Sequence, residues 1–278
     1  MKHSLFLIYL LLTTSLFAQV AKPGTTVPQG SGFPGIGGVE GPNGPGYLEF
    51  GGSRSELTSP RPHWTDAYVR GVINLTPANS FNLEVVRESR FGDSGYFGTI
   101  GLTHSWTSDL YTNVYVGSSV GGFFLPRFRT DGFVNYKLLP RKQLVANLGV
   151  GYDHAKTPNS ALRYMVGGTY YFTWPVIVQG GATFTRANPG NILAKTYNLA
   201  ITEGHEKSHY ITFRGEIGRE GYEVVNTINP LVNFPIHIYS GNWRQWIGMN
   251  WGFSFNFERE LNPYYNRNGA TVGFFFDF

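Results

Sequence analysis

The chain of 278 residues carries 22 Lys and Arg against 18 Asp and Glu, a net charge of +4, with only 14% charged residues, 16% aromatics, 36 glycines and no cysteine. Its pI near 9.2 reflects a thin excess of cations with no Lys/Arg cluster on any segment, which argues against nucleic acid as a partner. The missing cysteines exclude a disulfide framework, a lipoprotein acylation site, a cysteine-ligated zinc and a thiol nucleophile.

At the amino end, Lys2 and His3 precede the apolar run Leu5-Phe6-Leu7-Ile8-Tyr9-Leu10-Leu11-Leu12, which leads to Ser15-Leu16-Phe17-Ala18. Basic, then apolar, then small residues predict a secretory signal peptide over 1–18, cut after Ala18. The run is too short for a membrane-spanning helix, which takes roughly 20 apolar residues, and no later run reaches that length. Residues 19–46 are rich in Gly and Pro without periodicity, so a linker or disordered tail is expected, with a plug folded into a barrel lumen as its functional alternative. Gly30-Ser31-Gly32 in this stretch lacks the preceding strand and following helix of a phosphate loop.

From Tyr47 to Phe278 the sequence falls into segments of roughly 10 to 14 residues separated by turn signals, the spacing of tilted strands crossing an outer membrane. Leu144, Ala146, Leu148, Val150 and Tyr152 share one face, with Asn147, Gly149, Gly151 and Asp153 on the other. Leu162, Tyr164, Val166, Gly168, Tyr170 and Phe172 oppose Arg163, Met165, Gly167, Thr169 and Tyr171. Trp251, Phe253, Phe255 and Phe257 oppose Gly252, Ser254, Asn256 and Glu258. Period two is the strand repeat, and a second face of Gly, Thr, Asn and single charges suits a polar lumen better than a sandwich exterior. The mean hydropathy of −0.18 fits this interleaving of apolar and polar residues. The fold class read from this is an all-β, transmembrane, antiparallel up-and-down β-barrel over 47–278. Fourteen strands are counted, with twelve as the alternative because 231–247 reads as irregular and contains Pro235.

Short connections around Pro77, Ser108, Pro140, Trp174, Glu206 and Met249 read as periplasmic turns. Those at 57–63, 92–95, 121–127, 156–159, 187–191 and 221–233 read as facing outside. Trp106, Trp174, Trp246 and Trp251 lie beside the periplasmic turns and are expected to form an aromatic girdle. The chain ends Thr271-Val272-Gly273-Phe274-Phe275-Phe276-Asp277-Phe278. Phe274, Phe276 and Phe278 fall on one face with Val272, directed at lipid, while Asp277 looks inward. This terminus resembles the signal that the bacterial barrel-assembly machinery reads.

Little in the sequence points to catalysis. No serine follows a histidine by two residues, as in lipid-cleaving barrels, and adjacent His104 and Ser105 point to opposite faces. His104 is expected as an interfacial side chain beside Trp106. His205, Glu206 and His209 fall in a turn, where four-residue spacing does not converge two imidazoles as it does on a helix. Nothing orients His237 or Ser240. Glu216, Glu220 and Glu223 recur near a strand end at no defined separation for glycosidase chemistry. Asp66, Arg70, Arg163, Arg214, Glu216 and Glu258 are the charges expected to face the lumen, paired with one another or lining a pore. No catalytic residue, metal site or cofactor is expected.

Several pieces resemble the YaiO-type outer-membrane proteins. They are Arg90-Phe91-Gly92-Asp93, Leu125-Pro126-Arg127, Gly218-Arg219-Glu220 and Asn266-Arg267-Asn268-Gly269, taken in that order. The resemblance implies a barrel in the bacterial outer membrane and brings no substrate or catalytic residues with it. The helical repeats found before the barrel in some relatives are not present in this sequence. The expected partners are outer-membrane lipids and lipopolysaccharide, with the assembly machinery acting through the last strand. The expected function is a transport or secretion pore; the alternative is a non-conducting envelope-structural or surface-interaction barrel, with a lipid-modifying enzyme behind both.

Overall fold

The computed structural model describes residues 46–58, 61–226, 228 and 230–278. The expected signal peptide and Gly/Pro-rich tail, up to residue 45, lie outside them. Fourteen strands follow in order: β1 Gly46–Leu57, β2 Trp64–Thr76, β3 Asn79–Arg90, β4 Asp93–Ser105, β5 Leu110–Gly121, β6 Pro126–Leu138 and β7 Leu144–Ala155. The second half runs β8 Ser160–Tyr171, β9 Val176–Asn188, β10 Ile192–His205, β11 His209–Glu223, β12 Leu231–Trp246, β13 Trp251–Leu261 and β14 Asn266–Asp277. Each pairs antiparallel with its sequence neighbours, and β14 returns to β1 with Tyr47 opposite Asp277 and Leu57 opposite Arg267. The sheet is therefore a closed up-and-down barrel, in which no strand leaves an unpaired edge to lipid.

The period-two pattern separates the two faces. Along β14, Val272, Phe274 and Phe276 are exposed outward, whereas Thr271, Gly273, Phe275 and Asp277 are buried inside. The same split holds along β7, β8 and β13, placing Leu148, Val150, Tyr164, Val166, Phe255 and Phe257 outside. These apolar side chains suit a hydrocarbon surround. The start of β1, the end of β14 and the connections after the even-numbered strands lie at one end of the barrel, here the turn end. The connections after the odd-numbered strands lie at the other, the loop end.

Two sequence expectations are corrected. The stretch read as irregular is one continuous strand, β12, whose ladder with β11 runs on both sides of the Pro235–Arg219 pair. Pairing of β12 with β13 begins only at His237, so Pro235 lies where the strand has a partner on one side alone, a position that tolerates a missing N–H. The count is fourteen, and twelve is ruled out. Trp246 is not part of a girdle: it is buried inside the barrel, while Trp106, Trp174 and Trp251 are exposed outside. In β12 the outward residues are Tyr239, Gly241 and Trp243, so Arg244 and Trp246 fall on the inward phase.

Candidate functional site in the barrel interior

Inward side chains form three layers. At the turn end, Tyr47, Val72, Tyr111, Tyr115, Phe133, Val145, Tyr171 and Ile177 pack into one buried cluster drawn from β1, β2 and β5 to β9. Tyr210, Trp246 and Phe275 form a second, with Trp246 edge-on to both partners. The Trp246 Nε1 donates to Asp277 Oδ2 at 2.9 Å, and Lys207 Nζ reaches the same oxygen at 2.5 Å. The last inward carboxylate thus ties the final strand to β12 and to the turn after β10.

Above this lie buried charges. Glu49 is fully buried, and its carboxylate accepts from Arg70 at 2.8 Å, Arg244 at 2.7 Å, Tyr68 at 3.0 Å and Ser254 at 2.9 Å. These partners come from β2, β12 and β13, so one carboxylate on β1 gathers side chains across the closing seam. The Arg244 guanidinium also sits 3.5 Å from the centroid of Phe275. On the opposite wall, Arg163 bridges Asp131 at 2.9 Å and Asp153, while Arg129 holds the second oxygen of Asp131 at 2.6 Å. Tyr222 on β11 donates to Asp153 on β7 at 2.8 Å, which carries this network over the lumen between non-adjacent strands. A third hub, Arg267, pairs with Glu258 and, at 3.0 Å, with Glu260. Removing these charges from water is costly unless they are matched, and here Arg163 and Arg267 each face two carboxylates while Glu49 faces two guanidinium groups.

The loop end is closed by apolar groups. The connection after β5 turns inward at Gly121 and Gly122, whose φ angles of +68° and +55° favour glycine. It delivers Phe124 and Leu125 into the mouth, where they are about 1% and 0% exposed and pack with Tyr68, Val86 and Phe97. Phe91 stands edge-on to Trp64 and Phe124, and Trp64 to Tyr265. The loop is pinned twice: Phe123 N donates to Asp93 Oδ2 at 2.8 Å, and Lys156 Nζ donates to the carbonyls of Gly121 and Gly122.

All six charges singled out from the sequence lie on the inner face. Arg70 and Arg163 belong to the first two hubs and Glu258 to the third. Asp66 accepts from Ser53 at 2.7 Å, and Arg214 contacts Glu216 at 3.4 Å. The lumen charges read from the sequence did not include Glu49, Asp131, Asp153, Arg244 and Arg267; Glu49 stands between outward Leu48 and Phe50 and Asp153 was read only as part of a polar face, whereas Asp131, Arg244 and Arg267 each have a polar or glycine neighbour that blurs the alternation. Packing is looser on one side, where inward Met165, Gly167, Gln179, Gly181, Asn198 and Arg214 keep partial exposure.

The remaining candidates are peripheral. His104 Nδ1 lies 2.8 Å from Asn79 Oδ1, with its ring edge-on to Trp106. His205 and His209, expected not to converge, are direct cross-strand partners with rings 6.4 Å apart, because the turn is the end of a hairpin. His209 Nε2 is 3.2 Å from Glu203. Among the described residues no group of three or more His, Asp and Glu is placed to hold a metal ion.

A closed antiparallel barrel with an apolar outer face and a polar, ion-paired interior is a membrane β-barrel of the bacterial outer membrane. The chain belongs to the YaiO membrane β-barrel domain family, whose model matches residues 46–223, or β1 through β11. Among solved structures it is similar to the CymD monoaromatic hydrocarbon channel, with a TM-score of 0.60 and 8% identity over 84% of this chain and 89% of that one. It is also similar to a bacterial polysaccharide outer-membrane secretin, with a TM-score of 0.56 and 9% identity over 84% and 98% of the two chains. At such identities the likeness concerns the fold alone. No curated protein sequence matches the chain.

Proposed function

We propose that this protein is an envelope-structural or surface-interaction barrel, closed at rest, and not a standing pore. The observation that carries the reading is the blocked axis: an aromatic layer at the turn end, buried charge hubs above it with the Tyr222–Asp153 bond joining non-adjacent strands, and Phe124 and Leu125 in the loop-end mouth. A conducting lumen keeps its charged side chains wet, whereas Glu49, Arg163 and Arg267 have about 0–1% of their surface exposed. No chemistry is assigned to the interior, where the charges of the three hubs are paired with one another. Assembly is proposed to run through the outward ring set Phe274, Phe276 and Phe278, read by the barrel-assembly machinery.

A transport or secretion role is the second reading, and one observation favours it. The inner faces of β8 to β10 carry Gly167, Gln179, Gly181 and Asn198, small or polar groups that retain exposure. Passage along that wall would require the loop at residues 122–125 to leave the mouth. Liposome swelling in small sugars separates the two. Vesicles bearing the folded barrel should shrink and stay shrunken like protein-free vesicles, and rapid re-swelling would replace the first reading with the second.

A further inference from the structure

The outer wall formed by β9 to β13 differs from the rest of the exterior in two respects. Near the loop end it carries outward, exposed Arg186, Lys195, Arg219 and Arg259 on four of the five strands. Arg186 pairs with Leu193, so Lys195, two residues on, is its diagonal neighbour at about 7–8 Å. Arg219 lies just beyond the pair that joins Thr196 to Gly218, next to Lys195 on the adjacent strand. Its guanidinium is aimed by Asn233, whose side-chain oxygen accepts from Nε at 2.7 Å. Arg259 is paired with Tyr239. Among the described residues, the outward carboxylate on these five strands is Glu203, which sits at the opposite end. Arg186, Lys195 and Arg219, so spaced, repel one another and call for a multivalent anion, while Arg259, whose partner Tyr239 faces Gly215, stands four residues lower along the ladder and flanks the wall on its other side.

Directly below lies a groove of about 700 Å³ in the same wall, lined by Ile201, Phe213, Tyr239, Trp243 and Phe257. Its floor is two outward glycines. A Cβ at Gly215 would meet nothing within 4 Å, and one at Gly241 would meet only the Phe213 ring, at 3.6 Å. The groove thus exists because side chains are missing there, and Gly215 lies four residues below Arg219 on one strand, about 13 Å away.

We propose that this wall binds one phosphorylated glycolipid of the outer leaflet, the lipid A portion of lipopolysaccharide. Its phosphates rest on Arg219, Lys195, Arg186 and Arg259, and one acyl chain fills the groove over Gly215 and Gly241. Cations alone would attract any anionic surface and a groove alone any chain. A head of several negative charges joined to saturated chains, placed at the loop end of the barrel, satisfies both. The inference rests on the barrel's seat in the outer membrane and is independent of whether the lumen conducts.

The test is native mass spectrometry of the full chain in detergent with bis-phosphorylated lipid A, dephosphorylated lipid A or phosphatidylglycerol as probe. Retention of one bis-phosphorylated lipid A at least tenfold more tightly than either competitor is expected. The double variant K195E/R219E should remove the preference for phosphates, and Gly215→Leu should weaken both forms of lipid A alike, while both variants keep the heat-modifiable gel mobility of a folded barrel. Equal retention of phosphatidylglycerol, indifference to the phosphates, or unchanged binding by the folded variants would overturn the assignment.

Discussion

Replacing Glu49 with alanine should be among the most damaging single changes in the molecule. The carboxylate serves four donors at 2.7–3.0 Å, two of them guanidinium groups whose side chains are only 7% and 4% exposed. Truncation leaves two cations buried without their anion, and breaking such a pair costs about 3–5 kcal/mol. Glu49→Gln keeps the shape and loses the charge, so its expected cost is near that of one charge-assisted hydrogen bond, about 1.5–3 kcal/mol. The triple replacement Glu49→Leu, Arg70→Met and Arg244→Met removes every ion while keeping volume against Phe275. It should unfold within about 1 kcal/mol of wild type, or later, because the desolvation penalty disappears with the charges. Urea midpoints of the barrel in phospholipid vesicles, followed by tryptophan fluorescence and gel mobility, measure all three. A Glu49→Ala loss below about 1 kcal/mol, or a triple variant as unstable as the single one, would refute the reasoning that this hub joins the seam through matched buried charges.

Trp246→Phe should lose about 1.5–3 kcal/mol through its bond to the Asp277 carboxylate, whereas Trp106→Phe, on the outer surface, should shift the same midpoint by less than about 0.5 kcal/mol. Equal effects would return Trp246 to the girdle. Leu199→Arg, on the lipid face near mid-height, should cost about 2–4 kcal/mol, against roughly 0–1 for Leu75→Arg beside a turn, measured by refolding yield and urea midpoint. The Asp109 carboxylate, in the turn before β5, is held below its usual range first by its hydrogen bond to Lys142. Its folded value is depressed, so its contribution is complete above the unfolded value and fades as the pH falls through the folded one. An Asp109→Asn variant should therefore differ from wild type at neutral pH by no more than an exposed pair supplies and converge with it in acid, as read from unfolding midpoints against pH.

The barrel was legible in the sequence because its determinants are local. Alternation in 144–153, 162–172 and 251–258 fixes which side chain meets lipid, and turn residues at Pro77, Pro140 and Trp174 punctuate the strands. What failed was phase across 231–247. Once Pro235 was taken to break the strand, nothing tied Trp246 to the inward set, and nearness to a turn suggested a girdle. The lumen charges were found where they stand on strongly alternating segments, as with Arg163 and Glu258. The hubs were not, because which charges meet depends on pairings such as Glu49 with Arg244, 195 residues apart, that are set by barrel closure. The plug was invisible for a related reason: Phe124 and Leu125 look like any loop residues until Gly121, Gly122, Asp93 and Lys156 aim them into the mouth.

Single-channel recording tests the closed lumen most directly. The full chain in a planar bilayer should be silent at moderate voltage, and a variant with Phe124→Ala, Leu125→Ala and Lys156→Met should show intermittent current as the loop-end plug loosens. Steady current from the unmodified protein would contradict the account.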